Sequence, residues 1–535
     1  MSSMASADLP ETMAEPASSF VPGVSDVLLV GGGILSATLG AMLKRLEPRL
    51  SIQMVEVHGE LGREASDAWN NAGTGHAGVC EMSYTPSRGA DGRVPIGRAL
   101  AIFEQFEHSR QFWAHAAATG IAGPACDFIR PVPHLCFVEG AAAVDFLRAR
   151  HEAMRHHHFF RGLRCTLDPA VIRDWAPLVM EGRGDGPVAA TAGAGTEVDF
   201  GLLARRLGGW LARQDLCGVA TRWRVTELSR GSGSWRVRLR CMATGETRVH
   251  RSRFVFVGAG GGSVPLILGA GLPEASGLAG FPIGGQWLVC DDPDLCRRHS
   301  AKVYGATPPS SPSLGAPHLD LRHLDGRPRL MFGPFASWTS RFLRHSGGWT
   351  DLPRSVRAHN LAALARAGLR NHGLVRYLVR EGLQTMESRL RSLRCFLPDA
   401  RAGDWRLVEA GIRVQAIRAS HRGAIHFGTE VFSSSDGSFA SVLGASPGAS
   451  VSVSVALEVV RTCLPRLLDG PEACERMRRM IPGHGIDLKQ PGAEAHFERL
   501  SREADELLGL TPAGRSPVMP PLSHAVPPEN PSPHP

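Results

Sequence analysis

Apolar residues recur along this chain in runs, in helical spacing and in alternation, and the order of these patterns predicts the architecture. Val27-Leu28-Leu29-Val30 is a continuous apolar run of strand length, followed by Gly31-Gly32-Gly33. From Ile34 to Leu46 the apolar positions take helical spacing, and a second run, Ile52–Val55, ends on Glu56. Strand, glycine turn, helix and strand, closed by an acid 25 positions after Gly31, make a dinucleotide-binding fingerprint. Gly31 allows the tight turn, and Gly33 lets the backbone approach a pyrophosphate. The helix start at 34–37 offers N–H groups and a positive dipole end to that anion. Glu56 is placed to accept hydrogen bonds from a ribose. Ser36 holds the third glycine position, which predicts a slightly looser approach of helix to strand. NAD and FAD use the same first turn, so this stretch leaves the dinucleotide open.

Downstream, the segment from Trp69 to Gly78 has no period and is rich in small residues and amides. It reads as a loop able to lie along the cofactor, with Asn71, Gly73 and Thr74 as polar or close-approach contacts. Helices are expected over 96–113 and 144–154, with a strand at 133–138 between them. A further helix spans 199–213, with Asp199 as its N-cap. Strands at 218–228, 234–241 and 246–250 lead into Phe254-Val255-Phe256-Val257 and then Gly258-Ala259-Gly260-Gly261-Gly262. A second apolar strand ending in glycines closes the sheet beside FAD in two-dinucleotide-fold flavoproteins. A one-piece NAD domain does not need it. Strands at 280–290, 302–304, 318–321 and 330–334 suggest an antiparallel sheet covering the cofactor. Helices within 355–394 combine leucines with arginines. After strands at 411–417 and 425–430, the small residues Gly444, Ser446, Gly448 and Ala449 open a helix over 451–468, where backbone amides can face a cofactor.

Composition narrows the partners. The 535 residues carry a net charge of +8, which favours carboxylates, nucleotide phosphates or an anionic membrane surface. No basic block with interleaved aromatics points to nucleic acid. The 11 cysteines form no C-x-x-C pair, so reduced thiols in a cytosolic protein are expected, and no metal site. Arg155-His156-His157-His158 places neighbouring side chains on different faces and reads as a solvated basic patch. No apolar run reaches the roughly 18–20 residues of a spanning helix. Residues 1–23 lack the basic flank and apolar core of a secretory signal and read as a disordered extension. The Pro-rich stretch 511–535 reads as a disordered tail.

The chain resembles the malate:quinone oxidoreductase family. The resemblance is carried by Gly31 to Leu39 (with the serine at 36), Trp69 to His76, Glu104-Gln105-Phe106 with Ser109 to Trp113, and Trp175-Ala176-Pro177-Leu178. It continues through Phe332-Gly333-Pro334-Phe335, Gly411-Ile412-Arg413-Val414-Gln415 and Gly444 to Ser450, in the family's order. The chain departs from the family at Ala77-Gly78-Val79-Cys80 and at both ends. The resemblance implies FAD-dependent oxidation of (S)-malate to oxaloacetate, with electrons passed to a membrane quinone. It also implies a peripheral enzyme on the cytoplasmic face of a bacterial membrane, serving the tricarboxylic-acid cycle. The expected fold is mixed α/β (α+β), a two-dinucleotide-binding-type flavoprotein with a Rossmann-like FAD domain and an antiparallel-sheet substrate domain. The FAD domain is assigned to 24–90, 191–272 and 409–468, and the substrate and quinone domain to 91–190 and 273–408. A helical segment follows at 469–510.

Oxidising a 2-hydroxy acid requires a base for the hydroxyl proton, the C2 hydride directed at flavin N5, and a clamp for the carboxylates. The forked arginine guanidinium matches a carboxylate in two hydrogen bonds. Arg413 is the expected clamp, in a Gly-x-Arg turn where related amine- and hydroxy-acid-oxidising flavoproteins place one. Arg341 and Lys302 are candidates for the second carboxylate. For the base, His76 leads because it ends the loop beside the flavin, followed by His318 and His426. Expected cofactor contacts are Gly31, Gly33, Ser36, Glu56, Asn71, Gly73, Thr74, Gly258, Ala259, Gly260, Gly444, Ser446, Gly448 and Ala449. Alternatives are a flavoprotein for another 2-hydroxy acid such as 2-hydroxyglutarate, a soluble NAD-dependent dehydrogenase, or a non-catalytic flavin-binding protein.

Overall fold

In the strand Val24–Val30, residues 27–30 are apolar on both faces because they are buried on both. Val27 and Leu29 point into one hydrophobic cluster, Leu28 and Val30 into another. The computed structural model describes residues 19–306, 316–417, 425–426, 429–444 and 448–511. Within them, Val24–Val30 pairs in parallel with Ile52–Val55 on one side and Thr247–Val257 on the other. Cys217–Ala220 and Phe439–Leu443 extend this parallel core, and Trp223–Arg230, Trp235–Cys241 and Glu430–Ser433 add antiparallel strands. Helices Ile34–Leu46, Phe200–Ala212, Ser452–Cys463 and Gly97–Ala118 contribute to the cluster on one face. Ser263–Gly269 packs on the other.

A second sheet of nine strands is antiparallel except where Lys302–Tyr304 runs parallel to His134–Glu139. Its central strands run in the order Arg406–Ile417, Ala279–Cys290, Arg327–Ser337, His318–Leu324 and Lys302–Tyr304. The mixed parallel and antiparallel architecture is the one expected. Residues 409–417, grouped above with the cofactor domain, lie instead in this second sheet, where Ala279 pairs with Ile417 and Ile283 with Arg413.

Other differences have local causes. The strand expected over 218–228 is two strands, broken at Arg222, whose φ is +64° and whose N–H donates to the His58 carbonyl. The segments 246–250 and 254–257 form one strand, Thr247–Val257, in which Ser252 points inward and its arginine neighbours outward. Residues 19–23, read as part of a disordered extension, are ordered against the sheet. Val21 N–H donates to Gln53 Oε1 at 2.8 Å, and the Phe20 ring meets Trp223 edge-on at 5.2 Å. The expectations for residues 1–18 and 512–535 lie outside the described residues. Of 155–158, Arg155 and His156 are exposed as expected, but His158 is buried, and its Nε2 lies 2.8 Å from the Leu488 carbonyl.

The second sheet and the loop layer of 69–78 over it are joined through a buried guanidinium. Arg322 donates to Glu197 Oε1 at 2.7 Å and to the Asn71 carbonyl at 2.6 Å, tying the second sheet to the 69–78 loop. Burial alone would raise the Glu197 pKa, but the His323 hydrogen bond and the Arg322 charge outweigh it and hold it at about 2. Because that folded-state pKa is depressed from 4.5, the stabilisation is complete above pH 4.5 and disappears as pH falls through about 2. Arg322→Met is expected to destabilise the fold by about 3–5 kcal/mol at pH 7, since Glu197 is left buried and uncompensated. Urea unfolding followed by tryptophan fluorescence measures this, and a loss below about 1 kcal/mol would show that the pair does not join the layers.

Candidate active site

The glycine turns ending two neighbouring parallel strands touch. Gly31 has φ +92°, and a Cβ there would sit 2.8 Å from the Gly258 carbonyl oxygen. A Cβ on Gly258 would in turn lie 2.3 Å from Ser36 Oγ. The serine at the third glycine position is therefore accommodated across the sheet, by the missing side chain of Gly258. Gly33, which has no side chain for capping, precedes the helix Ile34–Leu46, and Ser66 Oγ accepts from Ile34 N–H at 3.0 Å. Glu56 accepts from Gly32 N–H at 2.6 Å and from His58 N–H at 2.9 Å, each oxygen keeping a further lone-pair direction. Gly258, Ala259 and Gly260 leave the same sheet edge as Gly31, as does Gly444, with φ +85°. Gly448 and Ala449 then lead into Ser452–Cys463. Ser446 lies outside the described residues. Ser36 Oγ and Ser450 Oγ are buried without a hydrogen-bond partner. These orphaned hydroxyls and the tight glycine edge fit a bound dinucleotide.

The 69–78 loop organises itself before it can touch a ligand. The Asn71 side-chain amide donates to the carbonyls of Ala65, Ser66 and Asp67, and its oxygen accepts from Gly73 N–H at 2.8 Å. Gly73 takes φ +59°, and a Cβ there would collide with the Arg322 guanidinium, so both the turn and the close approach call for glycine. Thr74 Oγ1 shares a 2.9 Å hydrogen bond with the Tyr304 hydroxyl. The departing segment after His76 is pinned by Arg150, fully buried, which donates to the carbonyls of Gly78 and Val79 and to Thr85.

The second sheet gathers charge under this loop. His318 Nδ1 lies 2.9 Å from Asp320 Oδ2, a charge contact rather than a well-aligned hydrogen bond. Lys302 Nζ donates to the same oxygen at 3.1 Å and to the Ala72 carbonyl at 2.8 Å. Burial would raise the Asp320 pKa, yet the His318 imidazole and the Lys302 ammonium beside it drive it far below the ordinary range, so it is ionised. Lys302 is thus committed to Asp320 and is not the second carboxylate clamp. The His318 ring stacks on Tyr304 at 4.4 Å and meets Trp287 edge-on at 5.3 Å.

Trp287 joins this cluster to an open cleft lined also by Asn70, Phe335, Tyr377, Leu378 and Arg413. Arg413 lies in mid-strand, paired with Ile283, rather than in the turn expected. Burial lowers its pKa, opposed by Tyr304 and Glu81, and an arginine so shifted remains a cation. Trp287 Nε1 and both polar atoms of Gln415 are buried without a partner. Arg341 instead lies with its guanidinium over Trp349, 4.8 Å from the ring centre. His426 ends the short strand Ile425–His426. Asp320, Glu81, Tyr304 and Trp287 were not singled out from the sequence, although the His318-x-Asp320 spacing puts two side chains on one face of a strand.

Residues 24–510 match the model of the family described as malate:quinone oxidoreductase. The chain belongs to the malate:quinone oxidoreductase family. A probable malate:quinone oxidoreductase of Methylobacillus flagellatus is 48% identical over 468 residues, covering 87% of this chain and 94% of that relative. One from Gluconobacter oxydans is 47% identical over 491 residues, covering 91% and 97%. Among solved structures, an FAD-bound L-α-glycerophosphate oxidase from Mycoplasma pneumoniae superposes with a TM-score of 0.53 at 15% identity, covering 83% of this chain and 95% of that one. A glycerol-3-phosphate dehydrogenase from Bacillus halodurans complexed with FAD gives 0.51 at 15% identity, covering 92% and 75%. The fold of the family member is that of FAD-binding oxidoreductases.

His76 is half-buried, and its Nδ1 atom is buried without a hydrogen-bond partner. Burial, with His134, His318, Lys302 and Arg413 close by, lowers its pKa to about 3. Since folding lowers this pKa from 6.5, protons favour the unfolded chain, and this residue subtracts stability as pH falls from about 6.5 towards 3. Histidine ¹⁵N NMR is expected to find His76 neutral from pH 8 to 5, with its signal identified by loss in His76→Asn. A midpoint above 6 would contradict the buried, cation-crowded setting.

Proposed function

We propose that this chain oxidises (S)-malate to oxaloacetate with FAD and delivers the electrons to a membrane quinone, as a peripheral enzyme of the tricarboxylic-acid cycle. Family membership supports the substrate and the acceptor. The observation that carries the chemistry is that one sheet presents a carboxylate-matching guanidinium, Arg413, and an imidazole beside an ionised acid, His318 with Asp320, on either side of Trp287.

FAD would be held by the edge at Gly31, Gly33, Ser36 and Glu56, by Gly258 to Gly260, and by Gly444, Gly448 and Ala449. When bound, FAD accepts the hydride that leaves malate C2. Arg413 holds a malate carboxylate with its paired N–H groups, fixing which way C2 faces. His318 takes the hydroxyl proton at Nε2, and the Asp320 carboxylate, already ionised, balances the imidazolium that forms. Lys302 keeps that carboxylate charged and in place. Phe335, Leu378 and Trp287 give the cleft an apolar lining, whose lower local dielectric strengthens each of these interactions. His76, with a pKa of about 3, is too weak a base to hold the proton and instead offers a neutral imidazole to the site. The preference for His76 as base therefore passes to His318.

Under anaerobic conditions malate is expected to bleach the flavin absorbance of the purified protein, and flavin that malate leaves oxidised would refute the assignment. Arg413→Ala should raise the malate concentration needed for half-maximal bleaching at least tenfold while FAD stays bound. Unchanged kinetics would remove Arg413 from the site. His318→Asn should slow flavin reduction by about 10²–10⁴-fold with flavin retained. If His76→Asn produces that loss and His318→Asn does not, the base is His76.

A further inference from the structure

Among the described residues, large exposed apolar side chains concentrate on one surface layer, the helices Ala358–Arg370 and His372–Gly382 with their flanks. Leu369 is 80% exposed and Leu383 76%, with Leu361, Val375 and Val379 also exposed. Val375, Val379 and Leu383 follow one another at intervals of four and form a single ridge. Arg376 and Arg380 stand beside that ridge, and both are exposed. The opposite side of the same helix presents Tyr377 and Leu378 to the cleft that contains Arg413. A helix with an outer apolar face normally buries it, so this ridge lacks a partner within the described residues.

The charge beside the ridge identifies the partner. From 354 to 383 there are six arginines, at 354, 357, 366, 370, 376 and 380, all exposed. The one acid, Glu381, is buried, facing Gln384 at 2.6 Å. Leucines and valines bordered by cations, with no exposed acid among them, match the boundary between acyl chains and anionic headgroups. No helix among the described residues is long and apolar enough to cross a membrane, so this contact would lie in the interface plane.

We infer that this two-helix layer is the surface that docks on an anionic lipid bilayer, and that it simultaneously walls the active-site cleft. The inference rests on the proposed quinone-reducing function for its purpose: a lipid-dissolved quinone approaches the cleft wall from the bilayer side without crossing water. The docking itself is independent of that function.

Flotation of the full-length protein with phosphatidylglycerol vesicles, with phosphatidylcholine vesicles as comparison, tests it without substrate. Binding to the anionic vesicles is expected, falling at least tenfold in Leu369→Glu/Leu383→Glu and in Arg370→Glu/Arg376→Glu, and falling also in 0.5 M salt. Leu507→Glu, an exposed leucine on the C-terminal helix, should bind as the unmodified protein does. Malate oxidation with a water-soluble electron acceptor should be unchanged in both double variants, while reduction of a long-chain quinone in the vesicles falls about tenfold. Vesicle binding retained by both double variants would overturn the inference. So would self-association, seen by sedimentation without lipid and abolished by the same substitutions, if vesicles are not bound. Absence of malate oxidation in the unmodified protein alongside normal flotation would sink the catalytic reading and leave the docking surface standing.

Discussion

No side chain fits between Gly31 and Gly258, and the rest of the molecule is arranged around that restriction. The two residues end neighbouring parallel strands, and a methyl on Gly31 would press on a backbone carbonyl that cannot move aside. With both side chains missing, the strand ends, the start of the first helix and the Gly444 turn share one narrow sheet edge. Such an edge binds an extended dinucleotide through backbone amides, which a bulkier edge would hold at a distance. Ser36 belongs to the same arrangement. Its hydroxyl occupies room that Gly258 leaves empty, so the approach of helix and strand remains tight where a looser contact was expected.

The second sheet solves a different problem, that of keeping charges in a dry place. Lys302, Asp320, Arg322 and Glu197 are all almost wholly buried, and isolated they would be strongly destabilising. They are instead paired, and the two cations, Lys302 and Arg322, also donate to backbone carbonyls of the 68–74 loop. This pairing fixes the position of the loop over the sheet. It also leaves His318 beside a carboxylate that stays ionised, while burial, with Lys302 and Arg413 nearby, keeps His76 neutral. The two histidines differ in chemistry because of their neighbours, not because of anything intrinsic to the residue.

Much of the frame was legible from residue order. The helix Ile34–Leu46 and the strand Ile52–Val55 fall where the pattern puts them, because both are long enough in register and bounded by turn residues. The Asp199 cap was readable for a local reason too, since its carboxylate reaches Leu202 N–H at 2.8 Å. Boundaries failed where backbone conformation changed without a compositional signal, as at Arg222. They also failed where charged residues in a strand alternated with an inward serine, as in Thr247–Val257. The fate of 409–417 was hidden as well, because strand pairing across more than a hundred residues leaves no local mark.

From residue types and spacing alone came the glycine-ended parallel strands and the mixed architecture, with Arg413 and the 69–78 loop as candidates, all of which depend on local periodicity and short motifs. The rank of the histidines, the commitment of Lys302 to Asp320 and the outward ridge of 375–383 depended on tertiary structure. A base is selected by desolvation and by which charges stand beside it, and those neighbours come from strands far apart in the chain. An amphipathic helix likewise reads the same whether its apolar side is covered or bare, and only the packed molecule decides which.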